Sequence, residues 1–245
     1  MPPVVPRLAV ALLLTLLIAP TTSAATSSTD VDVSTAPADS GRGALDARVE
    51  RFLAEREGRW RDMNVPAVDG QLLHDLIVKH RYTRALEIGT STGHSGIWIA
   101  WALSKTGGRL ITIDIDPERH REALANFEAA GLASYIDARL GNAHELVPAL
   151  EGPFDFVFSD ADKDWYRNYF EAVLPKLVVG GCYTTHNVSD GWFRRGGSRD
   201  YLEFLRSVPG VETTVDNRGG GMAISYKRRG LAAGPAGNRP APMGG

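Results

Sequence analysis

The sequence predicts an α/β fold: a single doubly wound, mostly parallel seven-stranded sheet with an antiparallel last strand. Three observations carry this. Short apolar runs of strand type alternate with helical apolar patterns at the spacing of strand–helix–strand units, which bury a parallel sheet on both faces. The last two runs, "VETTVD" and "GMAISYK", are joined through "NRGGG", a connection short enough for a hairpin. With 43% hydrophobic and 23% charged side chains over 245 residues, the chain has material for one sizeable core, and the length favours one domain.

In chain order, Leu72, Leu73, Leu76 and Ile77 place an apolar face on a first helix, followed by the strand "RALEI". A Trp-bearing helix over about Ser95–Ser104 leads to "RLITIDI". Asp116 and Pro117 form a helix start, Leu124 and Phe127 mark its apolar face, and Gly131 stops it. "YIDARL" and "FDFVFSD" are the next strands. A helix carrying Trp165, Tyr169, Phe170, Val173, Leu174 and Leu177 comes next, then the strand "GCYTTH". The folded unit is expected over 44–228.

Both ends read differently. Arg7, the apolar run Leu8–Ala19 and small residues near Ala24 and Ala25 have the form of a secretory signal over residues 1–25. The run is shorter than the roughly 20 residues of a membrane span. Export to a periplasmic or extracellular space is therefore expected, with an uncleaved membrane anchor as the alternative. Residues 26–43 read as a flexible linker and 229–245, rich in Gly, Ala and Pro, as a disordered tail. The formal charge of −2 provides no basic field for nucleic acid, so a small-molecule partner is expected. Cys182, the only cysteine, excludes an internal disulfide and is expected as a small buried residue.

Ligands of open parallel sheets bind beyond the carboxyl ends of the strands, so the residues there are the candidates. After the first strand, "EIGTSTGHSG" carries Gly89 and Gly93, whose missing side chains let a ligand approach the backbone; a tight turn needing glycine is the alternative. The pattern is not G-x-G-x-x-G, which disfavours a nicotinamide dinucleotide. After the second strand, Asp114 can accept hydrogen bonds from both hydroxyls of a ribose, and Asp116 is a helix cap. Together they suit a nucleoside-bearing cofactor. After the third, "GNAH" offers Asn142 and Ala143 to a base edge or forms a plain loop. After the fourth, "SDADKDWY" crowds Asp160, Asp162, Lys163 and Asp164 at a strand end, which suggests a cation site with a base nearby. The fifth strand brings His186 and Asn187 to the same rim.

These residues resemble the cation-dependent O-methyltransferases of the catechol and caffeoyl-CoA type, within the class I S-adenosylmethionine-dependent methyltransferases. The resemblance covers about Val68 to Lys227 and rests on "LEIGTSTGHSG", "FVFSDADKDWYRNYF" and the Gly-Gly-strand-Asn ending. It implies a Rossmann-like methyltransferase sheet and S-adenosylmethionine as cofactor. Glu87, Gly89 and Ser95 would touch the cofactor's methionine part and Asp114 its ribose. Gly93, Asn142, Ala143, Asp160 and Asp162 complete the cofactor candidates. It further implies a divalent ion on Asp160 and Asn187, with Lys163 taking the proton of a substrate hydroxyl.

The departure is His186, where the family has Asp. Asp160, His186 and Asn187 as a set suit Mn²⁺, Fe²⁺ or Zn²⁺ better than Mg²⁺, because imidazole is a softer donor than carboxylate. Two alternatives stay open: His186 is itself the catalytic base and no metal binds, or the pair is a polar strand end. Trp98 and Trp101 are expected in the core or on a homodimer surface, and Trp192 and Phe193 could cover an aromatic substrate. The function this supports is S-adenosylmethionine-dependent methyl transfer to an oxygen of a small hydroxylated, aromatic molecule, metal-assisted in the first of the three readings. The alternatives are an exported ligand-binding protein on this scaffold without turnover and a nicotinamide-dependent oxidoreductase.

Overall fold

A computed structural model describes residues 36–190 and 198–229. The expected signal segment, Trp192, Phe193 and the tail beyond Arg229 lie outside them. Seven strands form one sheet in the order β3-β2-β1-β4-β5-β7-β6. They are β1 (Arg84–Ile88), β2 (Arg109–Asp114), β3 (Ile136–Leu140), β4 (Phe154–Ser159), β5 (Leu177–His186), β6 (Val211–Asp216) and β7 (Met222–Lys227). Neighbours from β3 through to β5 pair in parallel, and β7 runs antiparallel between β5 and β6. The doubly wound sheet with an antiparallel last strand is thus the observed fold.

The helices are α1 (Ala36–Arg56), α2 (Ala67–His80), α3 (His94–Thr106), α4 (Pro117–Ala130), α5 (Ala143–Ala149), α6 (Tyr166–Val173) and α7 (Ser198–Ser207). Local chemistry sets several of their ends. The Asp116 side chain accepts from the Glu118 and Arg119 amides at 2.8 and 3.0 Å, Pro117 occupies the first turn, and Gly131 closes α4 in the left-handed region at φ 80°.

Strand alternation decides what each face buries. Phe156, Phe158 and Cys182 pack against Leu73 and Ile77 of α2 and Ile99 and Leu103 of α3. Leu86, Ile88, Val157 and Tyr183 point the other way, onto Tyr169, Phe170 and Val173 of α6 and Leu202 and Leu205 of α7. Each such fully buried side chain stabilises the fold by roughly 1.5–3 kcal/mol. Cys182 is fully buried, and burial pushes its thiol pKa up, as expected of an inert core residue. Trp98 and Trp101 belong to the core with Ile97, Phe127 and Leu132.

The sequence reading is corrected in two places. The linker was expected to run to residue 43, yet α1 begins at Ala36. The stretch continues a helix whose later residues Val49 and Phe52 pack on α3 and α4. "GNAH" is not a plain loop: Asn142 caps α5, its side chain accepting from the His144 amide at 3.0 Å, and Asn142 and Ala143 both line the cavity described below.

Candidate functional site

The order of the strands reverses between β1 and β4, and the crevice at such a switch point is where open α/β sheets bind ligands. A cavity of about 710 Å³ lies there. Its lining includes Gly89, Ser91, Ser95, Asp114, Asn142, Ala143, Asp160, Asp162, Lys163, His186 and Asn187, so most of the residues predicted for the site do converge.

One end of the cavity is built by β1, β2 and the loop after β1. Asp114 stands at the end of β2, buried, and both its oxygens are fixed by backbone amides: Oδ2 by Ser91 at 2.7 Å and Oδ1 by Asp116 at 2.9 Å. Each carboxylate oxygen keeps a lone pair for a ligand hydroxyl. Gly89 has φ +100°, and a Cβ there would meet the Asp160 carbonyl oxygen at 2.8 Å; its freedom serves the close approach of two strand ends. Gly93 does not line the cavity: at φ +94°, a Cβ would run into Phe127, so the tight-turn alternative describes it.

Glu87 does not line the cavity surface either; it is fully buried, one residue before the end of β1. Thr112 Oγ1 donates to its Oε2 at 2.6 Å, while Oε1 has no hydrogen-bond partner among the described residues. Burial, reinforced by the nearby charges of Asp160 and Asp114, raises its pKa to about 8 against the lowering hydrogen bonds of Ser95 and Thr112. A buried carboxyl with an unmet oxygen is a place for a donor to be added.

The other end is built by α2, β4, β5 and the β6–β7 loop. His186 is buried, and its ring bridges two carboxylates, with Nδ1 at 3.0 Å from Asp160 Oδ2 and Nε2 at 2.9 Å from Asp69 Oδ2. Asp69 also accepts from the Gly220 amide at 2.7 Å. Burial alone would lower the His186 pKa, but the hydrogen bonds and charges of Asp160 and Asp69 outweigh it and raise the value to about 9. Tyr166 donates to the His186 carbonyl at 3.0 Å. Asn187 follows in the left-handed region at φ 58°, which Asn tolerates better than most residues.

As they stand, these donors do not fit a metal. A metal needs a nitrogen lone pair, whereas both nitrogens of His186 face carboxylates. No group of three His, Cys, Asp or Glu side chains among the described residues is arranged to hold an ion. The same geometry bears on the reading of His186 as base, since an imidazole donating from both nitrogens cannot take a proton.

Several contributors were not found from sequence. Asp69 lies in the first turn of α2, where an acid reads as ordinary complement to the helix dipole, and nothing local announces a partner 117 positions away. His144 lines the cavity with its ring stacked on Trp165, ring centroids 3.6 Å apart. Met63, Asn64 and Val65, ahead of α2, also line the cavity, as does Arg119, which is ion-paired to Asp62 at 2.5 Å.

Fold and site thus define a doubly wound α/β protein with a nucleoside-type acidic residue and a polar pocket at the sheet's switch point. Residues 44–194 match the family model described as O-methyltransferase, and the chain belongs to that family. It is 40% identical over 130 residues to a catechol O-methyltransferase of Niastella koreensis, covering 51% of this chain and 58% of that protein. It is 39% identical over 128 residues to caffeoyl-CoA O-methyltransferase 1 of Zea mays, covering 50% and 49%. The matched stretch thus spans about half the length of these relatives. Among solved structures, the O-methyltransferase from Bacillus cereus in complex with SAH aligns at a TM-score of 0.64 and 27% identity, covering 75% of this chain and 91% of that one. TomG from Streptomyces achromogenes, in complex with SAM, aligns at 0.60 and 31%, covering 76% and 90%.

Proposed function

We propose that the chain transfers a methyl group from S-adenosylmethionine to a hydroxyl oxygen of a small, aromatic acceptor. The observation that carries this reading is Asp114, whose two oxygens are pre-oriented at one end of the cavity, with the unmet oxygen of Glu87 buried behind that surface. Asp114 suits the two hydroxyls of a ribose. Glu87 suits the cationic amine of an amino-acid moiety, which would supply the missing donor. Ser95 and the flat ring of His144, backed by Trp165, complete a surface matched to an adenosyl amino acid. The bound cofactor supplies an electrophilic methyl on sulfur.

The protein's own part is to orient an acceptor oxygen and remove its proton. Lys163, at the exposed cavity rim, would be the residue that accepts that proton. Holding the two reactants in line contributes much of the rate. Lys163→Ala should lower kcat by roughly 10²–10⁴ with little effect on cofactor affinity. Export, which rests on the pattern at residues 1–25 alone, is proposed alongside; N-terminal sequencing from the native host should start near Ala25.

Calorimetry with S-adenosylhomocysteine tests the central claim. Wild type should bind, and Asp114→Ala should weaken binding by at least tenfold, about 1.4 kcal/mol. Binding of NAD with none of the adenosyl compound would reject the reading.

A further inference from the structure

We propose that the Asp69–His186–Asp160 bridge stands in place of a divalent-ion site, so that this chain binds no divalent cation at the rim of its cavity. The consequence for turnover rests on the methyl-transfer reading; the binding claim does not.

The argument is one of donor accounting. A cation at this rim would take an oxygen of Asp160 and a lone pair of His186, with the Asn187 side chain as third donor. Asp160 Oδ2 and His186 Nδ1 instead meet each other at 3.0 Å. The second nitrogen offers no escape, because it is held at 2.9 Å by Asp69, a residue 1% exposed. Carboxylates accept only, so each ring nitrogen donates, and a ring donating twice has nothing left for a metal.

The surroundings hold the ring in this state. A Cβ on Gly220 would come within 2.5 Å of His186 Nε2, and one on Gly219 would collide with the Asp69 carboxylate. The glycine run between β6 and β7 therefore does more than turn a hairpin: it lets the backbone close over the Asp69–His186 contact and adds the Gly220 amide to it. Tyr166 pins the carbonyl of the same histidine from below. For an ion to enter, the ring would have to leave a buried, doubly bonded position with carboxylates on both sides.

Elemental analysis of full-length protein after dialysis against Mn²⁺ and then against buffer, with calorimetric titration of Mn²⁺ and Mg²⁺, tests this directly. Wild type should retain no stoichiometric metal and give no binding isotherm, while His186→Asp, which frees Asp160 and adds a hard anionic ligand, should bind Mn²⁺ at least tenfold more tightly than wild type. One bound Mn²⁺ per wild-type chain would overturn the proposal. A folded His186→Asp protein that still ignores Mn²⁺ would overturn the role given to His186. If that variant does not fold, the wild-type measurement decides alone. S-adenosylhomocysteine binding in the same preparation reports separately on the methyl-transfer reading. Where methyl transfer is seen, chelator should leave its rate within about twofold, and a tenfold or larger loss would count against the bridge.

Discussion

The two ends of the cavity use the same chemistry, buried carboxylates, to opposite effect. At the β1–β2 end, Glu87 Oε1 and Ser91 Oγ lack partners among the described residues, and the Asp114 oxygens are oriented by amides without being saturated. At the β4–β5 end, the facing oxygens of Asp69 and Asp160 and both His186 nitrogens are spoken for by one another. A buried polar atom left unmet costs free energy that a ligand can recover, so the first end is built to receive. The second has its counter-ion already and is built to stay as it is.

Breaking the second end should have the largest effect on stability. Asp69→Ala leaves a buried imidazole without one partner and an amide of Gly220 without its acceptor, and should destabilise the fold by about 3–5 kcal/mol in urea unfolding. If Asp69→Ala costs less than about 1 kcal/mol, the two ends are not energetically different in the sense drawn here. Glu87→Gln should do the reverse. It removes a carboxyl that is costly to ionise in the core, leaving stability equal or higher, while cofactor affinity falls by roughly tenfold or more as a charge-assisted bond is lost.

The pH dependence sharpens the contrast. Glu87 has a folded pKa of about 8 against an ordinary value of 4.5, so the folded chain holds the extra proton between those values. Its contribution to stability is full below pH 4.5 and is lost as pH rises to about 8. His186, raised from 6.5 to about 9, has the same sign and contributes fully below pH 6.5, fading as pH rises through about 9. Urea unfolding of the ligand-free chain should therefore show stability falling with pH across both windows, and Glu87→Gln should flatten the lower one only. The smallest expected effect is at the outer wall. Arg119→Ala breaks a partly exposed pair with Asp62 and should change cofactor affinity by less than about fivefold, since such pairs contribute about 0–1 kcal/mol.

Much of this was legible along the chain. The β1 loop, Asp114, the Asp160–Lys163 cluster and the His186–Asn187 ending stand where a strand stops, and a parallel sheet puts all strand ends on one rim. The α4 boundaries could be read because Asp116, Pro117 and Gly131 act on their own backbone. What was misread depended on distant neighbours. Gly93 was read as a ligand contact or a tight-turn glycine, and the side chain of Phe127, on another helix, supplies a reason for glycine that neither local pattern shows. The start of α1 was taken for linker because its own residues are small and polar, and the part of the helix that packs on α3 and α4 begins further along.

By itself, then, the sequence determined the order and type of the strands, the rim on which the polar residues collect and the oddity of a histidine before Asn187, since periodicity, caps and strand ends are all local. Only the tertiary structure decided what that histidine does. Asp69 is 117 residues away and Gly220 is 34 beyond it, and no pattern in either segment points to the other. Whether a strand-end imidazole offers its lone pair or donates from both nitrogens depends on which carboxylates the folded chain sets against it. That is a matter of distances of about 3 Å, which exist only once the sheet has closed.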